Sequence, residues 1–129
     1  WWTPNHPFKS SLTGVSSQQL AANYEKSTGK QWTQPIGFRH ALFEVALDVL
    51  KRTKDVNSPK SILSAITSTN YNSVVGNVNW SGKPVKNVSK TQLVGGQWVK
   101  GAKHKYDMHV VNNKGATNIP TQGSFKPIS

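Results

Sequence analysis

The sequence predicts a mixed α/β chain in which three helices come first and the strands follow. Three observations carry this. Apolar residues recur at helical spacing from Pro35 to about Lys54, and serines stand as N-caps ahead of two further helices. Apolar and polar residues then alternate in the second half of the chain. The order is not a βαβ alternation and contains no internal repeat. The helices and strands therefore read as pieces of a larger α/β protein, incomplete by themselves.

Residues 1–15 form a loop punctuated by Pro4, Pro7 and Gly14 and carrying Trp1, Trp2, His6 and Phe8. Such a loop is either a ligand wall or a flap packed on a core. Ser16 with Gln19 three positions on is a capping-box pattern, and Leu20, Ala21 and Tyr24 give a narrow apolar stripe. Gly29 stands where a helix commonly turns left-handed, so the spacing predicts a short surface helix over 17–27. Residues 30–37 link it to the strongest element, a helix from Pro35 to about Lys54. Phe38, Leu42, Val45 and Val49 follow the i, i+4, i+7, i+11 rule, and Phe43, Leu47 and Leu50 widen the stripe. This predicts a helix buried on most of its circumference, with Lys51, Arg52 and Lys54 at the negative end of its dipole. Ser58-Pro59 opens a third helix over about 59–68 that carries Ile62, Leu63 and Ile66, and Asn70–Ser73 ends it.

The remainder reads as β. A strand runs from Val74 to Trp80, and Ser81-Gly82-Lys83-Pro84 is a turn. Val85–Lys100 is extended, with Gly95-Gly96 as a bulge or crossover, and Tyr106–Val111 alternates again. The tail from Asn112 carries Gly115, Pro120, Gly123 and Pro127 and reads as an irregular strap.

With 129 residues the chain has the size of one ordinary domain. It has no cysteine, so neither a disulfide framework nor a thiolate metal site is possible. No apolar run approaches the ~18 residues of a membrane span, and no signal-peptide pattern is present. The chain opens on Trp1-Trp2 without an initiator Met, which reads as a mature, cleaved or truncated chain. Its net charge of +11 fits either nucleic-acid binding or a solvated basic surface that attracts anions. The lysines are scattered, the densest run being Lys100–Lys105, and only two arginines are present, so base readout is disfavoured.

No catalytic constellation stands out. There is no nucleophile elbow, no H-E-x-x-H and no phosphate loop. His104 and His109, five apart on a β pattern, are expected to face opposite sides. Glu44 and Asp48 read as the polar edge of the long helix. These negatives favour binding over catalysis, with no metal and no cofactor expected. What remains is an aromatic set: Trp1, Trp2, Phe8, Trp32, Phe38, Trp80 and Trp98. Aromatic walls with a few polar partners hold small organic ligands. Trp80 and Trp98 read as packing residues, whereas Trp1, Trp2 and the Gln34–His40 stretch fit a ligand wall and a core equally well.

Three stretches carry a resemblance. They are Pro7–Gly14 with Leu20–Glu25 and Thr28-Gly29, then Gln31–Ala46, then Val75–Trp80 followed by Val94–Trp98. Together they resemble the last third of type I periplasmic solute-binding proteins of ABC importers, in the branched-chain amino acid and aromatic acid binding family. The resemblance implies two α/β lobes joined by a hinge, closing on a ligand in the cleft between them. It places residues 1–34 in the second lobe and residues 35–90 in the first. Residues 91–129 then form the hinge crossing and a final second-lobe segment. It implies an extracytoplasmic, periplasmic protein whose partners are a small-molecule ligand, the membrane permease subunits and an N-terminal part missing from this sequence. A piece of two lobes is expected to expose apolar surface. Trp1, Trp2 and His6 are the expected ligand-binding residues, with Gln34, Phe38 and His40 behind them. The competing reading is a basic nucleic-acid-binding module.

Overall fold

The computed structural model describes residues 1–80 and 85–127. Helix α1 spans Ser17–Thr28 and begins as its sequence dictates. Gln19 N–H donates to Ser16 Oγ at 3.1 Å, and Ser16 N–H donates to Gln19 Oε1 at 2.9 Å. Gly29 ends it at φ 66°, in the left-handed region. Helix α2 spans Pro35–Arg52, and α3 spans Pro59–Thr67 with the Ser58 hydroxyl accepting from Ser61 N–H. Two antiparallel hairpins follow: β1 (Asn70–Ser73) with β2 (Gly76–Asn79), and β3 (Gly95–Lys100) with β4 (Tyr106–Asn112). The architecture is mixed α and β, with three helices and two two-stranded sheets among the described residues.

Three expectations are corrected. Asn70–Ser73 is a strand, not a helix terminus, and Val74-Val75 is the turn of a hairpin, not the start of a strand. Tyr71 and Ser73 point inward while Asn70 and Asn72 point outward, where the Asn77 amide donates to both. That alternation of polar residues carries no apolar signal to read. The extended stretch expected from Val85 pairs as a strand only from Gly95. The Ser81–Pro84 turn lies outside the described residues. Third, α2 is not buried on most sides. Gly37, Ala41, Glu44 and Val49 face inward, but Leu42, Phe43, Leu47 and Leu50 are exposed, Phe43 to 72 %. Of the two readings of Gly95-Gly96, bulge or crossover, the structure has a shift of register between the two glycines, and the irregular strap follows β4 as expected.

The main core holds Trp2, Ala21, Ala41, Val74, Val75 and Val78, with Trp32, Ile36, Phe38 and Val45 packed around them. Its pivot is the Val74 peptide. Its carbonyl accepts from Trp2 Nε1–H (3.1 Å) and Ser17 Oγ–H (2.9 Å), and its N–H donates to Glu44 Oε2 (3.2 Å). Glu44 is thus a buried anchor and not the expected polar edge. A second cluster, Val94, Val110, Ala116 and Ile119, lies under the second hairpin and the strap. Gln122 and Gln97 fasten the strap. Gln122 N–H donates to Val110 O while its Oε1 accepts from Val110 N–H. Gln97 exchanges two bonds with the Lys126 backbone.

Candidate functional site

The first six residues bridge the two clusters and open a cavity between them. Trp1 and Trp2 point to opposite sides. The Trp2 ring occupies the space that a Cβ on Gly37 would fill, 2.3 Å away, so only glycine lets α2 approach. Trp1 lies over the second hairpin. Its backbone nitrogen donates to Val94 O, and its ring sits where a Cβ on Gly96 would point, 2.9 Å away. The chain then turns at Pro4-Asn5, closed by His6 N–H donating to Thr3 O.

The cavity below that turn has a volume of about 240 Å³. Thr3, Pro4 and Asn5 form one rim and Gln31-Trp32 a second. His104, Asp107 and His109 of the hairpin, with Gln122 of the strap, complete it. Gln31 Nε2–H donates to Tyr106 O at 2.8 Å and ties the second rim to β4. An ion network holds the wall. Glu25 of α1 receives Lys103 Nζ and lies 3.1 Å from His104 Nε2, while His104 Nδ1 lies 2.8 Å from Asp107 Oδ1. Asp107 Oδ2 accepts from the N–H groups of Ala102 and Lys103. Gly101 permits this tight wrap, because a Cβ there would lie 2.2 Å from His104 O and 2.7 Å from Asp107 Oδ2.

Both carboxylates are held below their ordinary range. For Asp107 the cause is first the His104 hydrogen bond. For Glu25 burial works the other way, but Lys103, the Trp32 N–H and His104 outweigh it. Both carboxylates are therefore engaged within the wall, which leaves the neutral donors of Asn5, Trp32 and Gln122, and the His109 ring, to meet a ligand.

The six residues singled out from the sequence do not line this cavity, although Trp2 lies beside the His6 ring, at 6.3 Å between centroids, and Phe38 packs on the cluster that holds Trp2. Trp1 packs on the hairpin and Trp2 is fully buried, so packing decides what the sequence left open for it. His6 is buried behind the rim. Its Nδ1 accepts from Thr3 N–H at 3.1 Å and its Nε2 lies 3.4 Å from Gln92 O. That pairing needs the neutral ring, and burial pushes its pKa below the ordinary value. Gln34 occupies the N-cap position of α2 without a capping side-chain bond, and Phe38 packs against the main core. His40 lines a separate groove with Tyr24, Arg39 and Phe43. The residues that do line the cavity were read differently: Lys103 and His104 as part of a basic run, and His109 as facing away from His104. His104 precedes β4, so strand alternation does not govern it, and both imidazoles reach one cavity. The three-residue spacing of His104 and Asp107 was the one legible signal; Glu25, 78 residues from Lys103, offered none.

Among the described residues no group of three or more acidic or histidine side chains is placed to hold a metal ion, and no helix is long and apolar enough to cross a membrane. Comparison with family models, with curated proteins and with solved structures finds no match to this chain.

Proposed function

We propose that the chain is part of an extracytoplasmic solute-binding protein that captures a small polar organic ligand, an amino acid or aromatic carboxylate, for an ABC importer. The observation that carries this reading is the cavity under the Thr3–Asn5 rim. It is small, has an indole on one wall, and presents amide and imidazole donors that its own ion network leaves free. A site of that composition suits binding, so the reading is a binding protein.

The exposed face of α2 supports a larger assembly. Leu42, Phe43, Leu47 and Leu50 lie on one side of the helix, and Leu63 and Ile66 of α3 are also exposed. That much clustered apolar surface is unfavourable in water and fits a face covered by a further part of the same protein. In the two-lobed reading, residues 1–34 and 91–129 belong to one lobe and the hinge, and residues 35–90 to the other. The cavity then lies on the lobe that carries the strap.

The test is a thermal-shift screen against aromatic carboxylates and branched-chain amino acids. A ligand that binds only the folded state at about 100 times its Kd adds about 2.7 kcal/mol, a rise of roughly 10 °C for a domain of this size. A saturable rise that His109→Ala and Gln122→Ala both reduce is the expected result. No rise with any of these ligands, in a chain and in a full-length protein that melt cooperatively, overturns the reading.

One observation favours a second reading. Trp98 and Tyr106 lie half-exposed on one face of the second hairpin, with Lys105 at 5.9 Å from the Tyr106 ring centroid. Aromatic platforms flanked by lysine stack single-stranded nucleic acid, and binding of that kind weakens steeply with salt. A salt-sensitive shift of a labelled oligonucleotide that Trp98→Ala removes would favour it.

A further inference from the structure

The geometry points to His104 as a proton-operated latch that ties α1 to the β3–β4 turn and holds one wall of the cavity in place. A neutral imidazole has one N–H and one lone pair. Here each ring nitrogen faces a carboxylate oxygen, Glu25 Oε1 at 3.1 Å and Asp107 Oδ1 at 2.8 Å. Only the doubly protonated ring donates to both. The neutral ring sets a nitrogen lone pair against one of the two carboxylates.

Which carboxylate is lost follows from what else holds each one. Asp107 belongs to the same turn and is pinned through Oδ2 by two backbone N–H groups. Glu25 comes from another element, and its remaining charged partner is Lys103, whose side chain is 71 % exposed. Exposed ion pairs contribute little. Deprotonation therefore frees Glu25 and separates α1 from the hairpin turn, while His104 keeps Asp107. The charges agree. Glu25 and Asp107 balance Lys103 and protonated His104, and loss of the ring proton leaves the cluster one negative charge in excess.

Among the described residues, the titratable groups that face His104 are Glu25 from α1, Asp107 from β4 and Lys103 from its own turn. His109 of β4 lines the same cavity. Both carboxylates are held below their ordinary range, and histidine is the side chain whose charge ordinarily changes between about pH 5 and 8. The latch is closed on the acid side and opens as pH rises. The wall it secures includes Trp32, whose backbone N–H donates to Glu25 Oε1 at 3.4 Å.

The latch regulates the site under Proposed function and rests on that reading for its consequence, so it is measured first without ligand. Amide hydrogen exchange, followed by NMR at about pH 5.5 and about pH 8.5 and corrected for intrinsic rates, spans the imidazole range. Protection at Trp32 is expected to fall several-fold at the higher pH in the unaltered chain. His104→Gln is expected to show the lower protection at both values, and His109→Gln to keep the response. Equal protection of Trp32 at the two pH values, or a response that survives in His104→Gln, overturns the latch. Both variants lie outside the two cores, and unchanged protection at Val74 and Val110 verifies their folding. Benzoate titrated at the two pH values then tests the consequence. With the Trp32 response intact, absence of benzoate binding counts against the cavity as its site and leaves the latch standing.

Discussion

At the scale of single residues, the positions that matter most are those where one side chain occupies another's space. Gly37 stands inside a helix, where alanine is intrinsically better by about 1 kcal/mol. That gain is outweighed here. A Cβ at Gly37 would lie 2.3 Å from the Trp2 ring, and the ring is held by its bond to Val74 O. Gly37→Ala is expected to destabilise the chain by about 1–3 kcal/mol, read as a lower urea midpoint with unchanged slope. His6 makes a second residue-scale statement. Burial lowers its pKa in the folded chain below the ordinary 6.5, so the unfolded chain takes up the proton first. Its contribution is fully present above that value and is lost as pH falls through the lowered folded value. Unfolding free energy is therefore expected to drop on acidification below about pH 6.5, and His6→Asn, which keeps an acceptor for Thr3 N–H, is expected to flatten that limb.

At the scale of elements, helix ends were legible because caps are local chemistry. Ser16, Gln19 and Gly29 meet within one turn of their neighbours in sequence, and all three act in the structure as their spacing predicts. Ser16→Ala is expected to cost about 1 kcal/mol, measured by thermal or urea unfolding. Strand pairing was less legible. β1 is Asn-Tyr-Asn-Ser, and its stability comes from partners on β2 and from the Val74 turn, none of which leaves an apolar pattern. The faces of α2 were misjudged for a related reason. Periodicity reports which residues are apolar, and neighbours decide which of them are covered. Phe43→Ser and Leu47→Ser are accordingly expected to change the stability of this chain by no more than about 0.5 kcal/mol. In a full-length protein whose further part covers that face, the same changes are expected to cost about 2–5 kcal/mol. Urea melts of the two proteins side by side make the comparison.

At the scale of the whole molecule, the cavity exists because three distant segments converge. The Thr3–Asn5 rim, the Gln31-Trp32 link and the second hairpin are brought together by Trp1 lying on the hairpin and Trp2 lying in the main core. Neighbouring tryptophans at the start of the chain thus fasten one loop to two separate clusters. The sequence marked that loop as important and left its role open between wall and packing. The structure makes it a rim whose aromatic residues are anchors, and the ligand-facing groups come from elsewhere. If the cavity is the binding site, the expected thermal rise with an aromatic carboxylate disappears in Trp2→Ala through loss of the fold and in His109→Ala through loss of a contact. The melting midpoint without ligand tells these apart.

The sequence by itself determined what short-range physics controls. It set the helix count and their caps, the irregular tail, the absence of thiol chemistry and the strong positive charge. Each depends on residues within a turn or on composition alone. Tertiary structure alone decided what depends on contacts across the chain. It buried Glu44 against Val74 N–H, set His104 between Glu25 and Asp107, and left one side of α2 open to water. A side chain's partner, and so its charge state and exposure, is a property of the neighbours that folding supplies.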